Sequence, residues 1–342
     1  FPSDPNMNSI STKSTCFLVI LLLVNSLRLL SLDPESDSIH IELNNASIVR
    51  QLVFTDGKIF STGLFMAGSE RNYIRESNEF SFLVNDQYVD GSSGWELLDT
   101  AYLGDEHSGK GWRIHLAGTG NLSGLRVEIS YRCYPDLPLV RKWLTITNGS
   151  GQDMKIEALN VEDLQTDFSQ VRTVVHHNYA RMKHLGSFLG NWDDPVIVLH
   201  HMSDRLGMAV GNEAPGVLKR TAYHTKSENL EAGLTHPGQD YPFRLWLAPG
   251  ESWESPGTFI CLYRERDDGF AVVDGAVNDF VRLHMHPQIY RREQKPVFVY
   301  NTWNPFRTFV NDTLVREVAL AAAECGVQEF IIDDGWQVNS GA

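Results

Sequence analysis

Residues 330–336 read FIIDDGW, an apolar run closed by two adjacent carboxylates, a glycine and a tryptophan. Such a stretch supports two chemistries. Asp-Gly between apolar runs is a hairpin signal, under which FIIDDGWQV is two strands and a turn with no ligand. Alternatively, the carboxylates accept charge-assisted hydrogen bonds from vicinal hydroxyls, and the indole covers the apolar face of a pyranose and excludes water from it. A metal reading lacks support, because no histidine or further aspartate stands nearby at ligand spacing. No cofactor is expected either: GTGNLSG at 118–124 lacks the phosphate-loop lysine and reads as a turn.

The flanks decide between rim and hairpin. After Pro296 the chain runs VFVYNTW, an apolar strand ending in polar and aromatic residues. Asn311 or Asp312 can cap the helix TLVREVALAAAECG, whose alanines favour helix and whose Gly326 sits where a C-terminal glycine belongs. Then VQEFIIDDGW starts another strand. Strand, helix, strand is a βαβ unit and implies parallel pairing. Polar residues at the carboxyl ends of parallel strands line ligand sites, so Asn301, Trp303, Asp333 and Asp334 are expected at one rim.

The elements before this unit are of another kind. From about residue 38 to 265, β-rich runs recur with turns between them and no intervening helices, as at 124–134, 139–148, 194–202 and 257–265. Val140, Lys142, Leu144 and Ile146 alternate with Arg141, Trp143, Thr145 and Thr147, so one face is inward. This predicts a large antiparallel sandwich over 35–266. Phe270, Val273, Val277, Phe280 and Val281 then recur at helical spacing, and Pro287 follows; a linking helix is expected within 267–295, ahead of 296–342. At the other end, Lys13 precedes the apolar run CFLVILLLV at 16–24. That is the form of a secretory signal (7–26, with Val24 and Ser26 as a loose cleavage pair) and is short for a membrane span. Residues 1–30 are read as that signal or as upstream translation, and secretion or periplasmic export follows as the expectation.

Composition narrows the partners. With 342 residues, 42% hydrophobic and 21% charged, the chain can bury a core. A net charge of −14 argues against nucleic acid. Cys16, Cys133, Cys261 and Cys325 show no metal spacing and read as scattered thiols; a Cys133–Cys261 bridge cannot be argued from sequence. The histidines at 176–177 and 200–201 read as structural or surface residues, the second pair pointing to opposite faces of a strand. RNYIRESNEFSF at 71–82 is read as a loop. Of the sequons at Asn45, Asn121, Asn148 and Asn311, Asn148 and Asn311 have local structural reasons to be there.

Two segments carry a resemblance. KPVFVYNTWNPFRTFVNDTLVREVALAAAECGVQEFIIDDGW at 295–336 resembles the start of the catalytic barrel of glycoside hydrolase family 36, with Asn-Ser/Thr-Trp ending the first strand and Asp-Asp-Gly-Trp the second. YPDLPLVRKWLTITNGSGQ at 134–152 resembles a segment of that family's amino-terminal β-supersandwich. The resemblance implies a supersandwich, a linking helix and the opening βαβ of a (β/α)8 barrel. It implies that Asp333 and Asp334 bind hydroxyls of a terminal galactose, that Trp303 lines the same pocket and that Trp336 helps to shape it. The implied reaction is retaining hydrolysis of terminal α-galactosides, with two carboxyls about 5–5.5 Å apart. The family's nucleophile follows a later strand in a Lys-x-Asp setting, and no such tripeptide occurs here. Asp333 and Asp334 are thus not expected to be the catalytic pair; the nucleophile and the acid/base are expected beyond Ala342. A complete barrel takes about 250 residues, so the expectation is a truncated chain, inactive alone, from a parent that assembles as a homo-tetramer. Alternatives are an α-N-acetylgalactosaminidase, a raffinose-synthase-like galactosyltransferase, or a non-catalytic carbohydrate-binding sandwich.

Overall fold

The computed structural model describes residues 31–32, 38–105, 109–169, 171–190, 192–285 and 297–337. The expected signal segment, Cys16, and the 286–295 end of the linker lie outside the described residues. So does Ala342, the point beyond which the nucleophile and acid/base are expected. Within the described residues no helix is long and apolar enough to cross a membrane. The chain divides into two compact units, one reaching Phe280 and the other starting at Val281.

The first unit is built of antiparallel strands. Among the described residues they form sheets of four, ten and seven strands. The central strand Leu139–Asn148 pairs with Leu125–Cys133 on one side and with Thr258–Tyr263 on the other. Its burial alternates as its sequence does: Val140, Leu144 and Ile146 have no exposed surface, while Arg141, Trp143 and Thr145 are half-buried. Each such aliphatic side chain contributes about 1.5–3 kcal/mol when fully buried. The seven-stranded sheet offers a matching face from Met154–Gln165 and Glu79–Val84, where Ile156, Leu159, Phe80 and Phe82 are buried.

The alternation carries Lys142 inward too, and its side chain is fully buried. An ammonium cannot stay there without partners. It meets the carboxylates of Glu79 and Glu162, which also bind Arg50, at 3.1 Å from Glu79 and 2.7 Å from Glu162. Tyr131 and Ser61 donate their hydroxyls to Glu79. Burial alone would raise the Glu79 carboxyl, but the charges of Arg50 and Lys142 outweigh it and hold it at about 2.

The histidines sit deeper than a surface role requires. His176, His200 and His201 are all at least 95% buried, because Thr173–His177 and Val196–His201 are neighbouring strands covered on both faces. His200 Nδ1 lies 2.9 Å from the Tyr263 hydroxyl, and the His176 and His200 rings meet edge-on. Cys133 and Cys261 are free, buried thiols pushed up to about 12 by burial. They lie on strands that flank Leu139–Asn148 on opposite sides, so a bridge cannot form between them. Residues 71–82 are largely core rather than free loop: Tyr73 and Ile74 are buried, Glu79–Val84 is a strand, and Arg71 pairs with Asp167 at 2.6 Å. Asn148 is buried, with its amide donating to Gln152 and Leu247 carbonyls.

The expected helix is present from Phe270, but two π-type turns interrupt it at Val273–Val277 and Val281–Met285. A π turn holds more residues than an α turn and rotates the buried stripe. Val272, Val277 and Phe280 are therefore the buried residues, while Phe270 is exposed. Phe280 packs between the rings of Tyr134 and Phe259.

The second unit holds the βαβ pattern. Val299–Asn301 pairs in parallel with Glu329–Ile331, and the helix Asp312–Glu324 connects them. Asn311 caps that helix by accepting the Leu314 amide, and Gly326 follows it with φ of 82°. Phe298, Phe309, Leu320, Ile331 and Ile332 are exposed.

Candidate functional site

The site grows from the carboxyl ends of these two short strands. Asn301 is the last residue of one and Ile331 the last of the other, and the two are partners in register. Pairing in parallel makes the residues after both strands emerge on the same side. Thr302 follows Asn301 and is buried; its amide donates to the Ile331 carbonyl, and its hydroxyl accepts the amide of Asp333 at 2.9 Å. Two chain crossings are thereby tied at one residue.

Asn301 does the same with its side chain. Its amide nitrogen donates to Asp333 Oδ2 at 2.7 Å, while its side-chain oxygen accepts the Trp303 amide at 2.7 Å. Asp333 Oδ1 accepts the amide of Asp334 at 2.8 Å. The Asn301 amide, and after it the Asp334 backbone amide, hold the Asp333 carboxyl below the ordinary aspartate range. Asp333 is therefore an ionised acceptor at neutral pH. A general acid needs the opposite shift.

Asp334 is exposed and accepts the Gly335 amide at 2.8 Å. Gly335 has φ of 105°, and a Cβ there would stand 2.4 Å from the Thr308 carbonyl oxygen. No residue with a side chain fits that turn unstrained. The hairpin expected under the turn reading is not what forms, because the strand before Asp333 pairs in parallel with Val299–Asn301.

Trp303 opens a short helix, Trp303–Phe306, and the Arg307 guanidinium lies over its ring at 5.2 Å from the centroid. That is a cation–π contact. Trp336 is two-thirds exposed. The structure thus links Asn301, Trp303 and Asp333 by direct hydrogen bonds and sets Asp334 beside them; Trp336 stands further along the same loop. Sequence reasoning missed Thr302 and Arg307. The threonine lay in plain view inside NTW, but nothing in its type signals that it ties both strands. Among the described residues no group of His, Cys, Asp and Glu is arranged to hold a metal ion.

Comparison with known proteins shows what the chain is similar to. Residues 252–340 match the family described as Melibiase. Over 253 residues the chain is 24% identical to "Probable alpha-galactosidase G" of Emericella nidulans, a match covering 68% of this chain and 34% of that protein. It is 21% identical over 237 residues to "Alpha-galactosidase 2" of Hypocrea jecorina, covering 63% and 31%. Among solved structures, the α-galactosidase from Lactobacillus brevis superposes with a TM-score of 0.66 at 12% identity, over 90% of this chain and 49% of that one. The AgaB α-galactosidase of Geobacillus stearothermophilus does so at 0.62 and 14%, over 92% and 51%. The chain thus spans about a third of the curated relatives it matches and about half of the solved chains.

Fold and matched segments therefore resemble those of a glycosidase of the melibiase class. Within that class the resemblance is to the α-galactosidases of glycoside hydrolase family 36.

Proposed function

We propose that this chain is the amino-terminal part of a retaining exo-glycosidase that releases terminal α-D-galactosyl residues, and that its rim binds the galactose. The observation that supports it is the anchored, ionised Asp333 with Asp334 beside it, at the end of a parallel strand pair. Carboxylates held in that state accept hydroxyl donors strongly and leave the proton chemistry to other groups.

In this reading Asp333 and Asp334 receive galactose hydroxyls, Trp303 lines the pocket and Trp336 shapes its entrance. Arg307 backs the Trp303 ring and stiffens it. The nucleophile and acid/base belong, beyond Ala342, to a barrel of which 296–342 is the opening βαβ. By itself the chain binds without hydrolysing, and the longer protein is exported and assembles as a homo-oligomer. Discrimination against N-acetylgalactosamine, and hydrolysis over galactosyl transfer, depend on pocket residues of the remaining barrel.

The test is hydrolysis of p-nitrophenyl α-galactoside by the product of the whole gene. Hydrolysis that falls at least about a hundredfold in Asp334→Ala and in Asp333→Ala, roughly 2.7 kcal/mol of transition-state binding each, supports the rim. Full activity in both variants would remove it.

A further inference from the structure

An open pocket of about 530 Å³ lies in the first unit, away in sequence from the rim, where His177–Asn178–Tyr179 faces Trp192–Asp193–Asp194. Its size is within the range of small-molecule sites. Tyr179 and Trp192 are 56% and 58% exposed. An indole and a phenol left open on one pocket are costly to solvate, and each offers a flat apolar face with a polar edge.

The pocket is built rather than loose. Asp194 is buried, accepts the Asn178 amide on Oδ1 at 2.9 Å, and sets the same oxygen 3.4 Å from His177 Nδ1. The His177 ring rests on Phe188 at 4.6 Å between centroids, which fixes its plane. Asn178, Tyr179 and Ala180 all have positive φ, of 48°, 58° and 63°. Three such residues in a row cost free energy and persist only where surrounding structure holds them. Here Asp194 holds the first and the Arg181 amide, donating to the Asn178 carbonyl at 3.2 Å, closes the turn. Tyr179 is left exposed on the pocket that Trp192 also lines.

Among the described residues the lining contains two carboxylates, an imidazole and an amide, and no lysine or arginine. That disfavours an anion and suits a neutral polyol, whose hydroxyls donate to carboxylates and whose apolar ring face stacks on an aromatic. We infer that this pocket is a second saccharide-binding site, carried by the sandwich and independent of the Asp333–Asp334 rim. It holds sugar without reacting with it. The inference does not rest on the rim reading, since every residue it uses lies in the first unit.

The experiment is calorimetric titration of the full chain with raffinose, and separately with choline as a cationic probe. Four proteins are compared: the parent, Asp333→Ala/Asp334→Ala, and that double rim variant carrying Trp192→Ala or Trp192→Phe. We expect raffinose to bind the double rim variant, to bind it about tenfold more weakly or worse once Trp192→Ala is added, and to recover with Trp192→Phe, a tenfold change being about 1.4 kcal/mol. Circular dichroism establishes that each variant is folded; should the Trp192→Ala protein not fold, Tyr179→Ala replaces it with the same expected loss. The inference is overturned if the double rim variant binds no raffinose while the parent does, if neither binds it, if binding by the double rim variant survives Trp192→Ala and Tyr179→Ala in folded protein, or if choline binds the double rim variant more tightly than raffinose.

Discussion

Glu79 and Glu162 lie in the sandwich core with no exposed side-chain surface. Asp333 and Asp334 stand at the end of a three-residue strand, one half-buried and one exposed. One carboxyl of each pair, Glu79 and Asp333, is held below its ordinary range, yet by different means. In the core, Arg50 and Lys142 face Glu79 and Glu162, since a buried charge needs partners to offset the loss of water. At the rim, water remains available, and an amide and a backbone N–H suffice to hold Asp333 low. The core carboxylates are fully used by their partners. Those of the rim meet no cation among the described residues and can take further hydroxyl donors. Buried charge here serves architecture, and exposed charge held by neutral donors is what a ligand can use.

The comparison can be broken most forcefully at Arg50. Replacing it by methionine leaves two buried carboxylates with Lys142 alone, and breaking a buried pair costs about 3–5 kcal/mol. Urea unfolding should show that loss. A change under about 1 kcal/mol would mean that the cluster is not the closed ionic system described, given that 1–2 kcal/mol is already large for a domain.

Gly335→Ala strikes the rim instead. The Cβ meets the Thr308 carbonyl at 2.4 Å in a left-handed turn, and such strain costs about 1–3 kcal/mol. Galactose affinity should fall while the urea midpoint of the sandwich stays put. Loss of the sandwich transition as well would show that the two regions are not energetically separate.

Acid separates the two kinds of buried group by pH. Burial, followed by the charges of His200 and Lys183, lowers His176 from 6.5 to about 4; burial, followed by Arg220, does the same to His236. The unfolded rings bind protons that the folded rings refuse. Stability is therefore full above pH 6.5 and declines as pH falls from 6.5 towards 4. Glu79 has its carboxyl at about 2 against an ordinary 4.5. Its contribution is full above 4.5 and is lost only as pH falls from there towards 2. Unfolding free energy measured across this range should decline in two windows. Stability unchanged down to pH 4.5 would refute the histidine part.

The smallest effect is expected from Asn301→Ala. It removes the first of the two donors on Asp333, so that carboxyl should titrate higher, as read by carbon NMR of the aspartate side chain. Asn301 belongs to the second unit, so the stability of the sandwich should move by no more than about 0.5 kcal/mol. An unmoved Asp333 titration would shift the explanation to the Asp334 amide.

Much of this was readable in the residues. The strand Leu139–Asn148 has the expected bounds and alternation, because a period of two with one buried face leaves a single register that hides the apolar set. The helix from Asp312 begins at Asn311 and ends before Gly326, as its capping residues require. The histidines at 200–201 were half understood: opposite faces of a strand, but a strand buried on both. The ionic cluster of Arg50, Glu79, Lys142 and Glu162 gave no signal at all, since its pairs lie 20 to 112 residues apart in the chain.

What the sequence determined alone was local or periodic: strand patterning, helix caps, the glycine that lets the chain turn after Asp334, and the ordering of NTW before DDGW. Only the tertiary structure decided which carboxylates are locked by cations and which remain open to a ligand. It also decided that Asn301 and Thr302 tie the rim together and that Tyr179 and Trp192 face one pocket. The physical reason is range. Propensity, capping and alternation act within a few residues, whereas the state of a charge is set by whichever distant groups folding brings within about 3 Å of it.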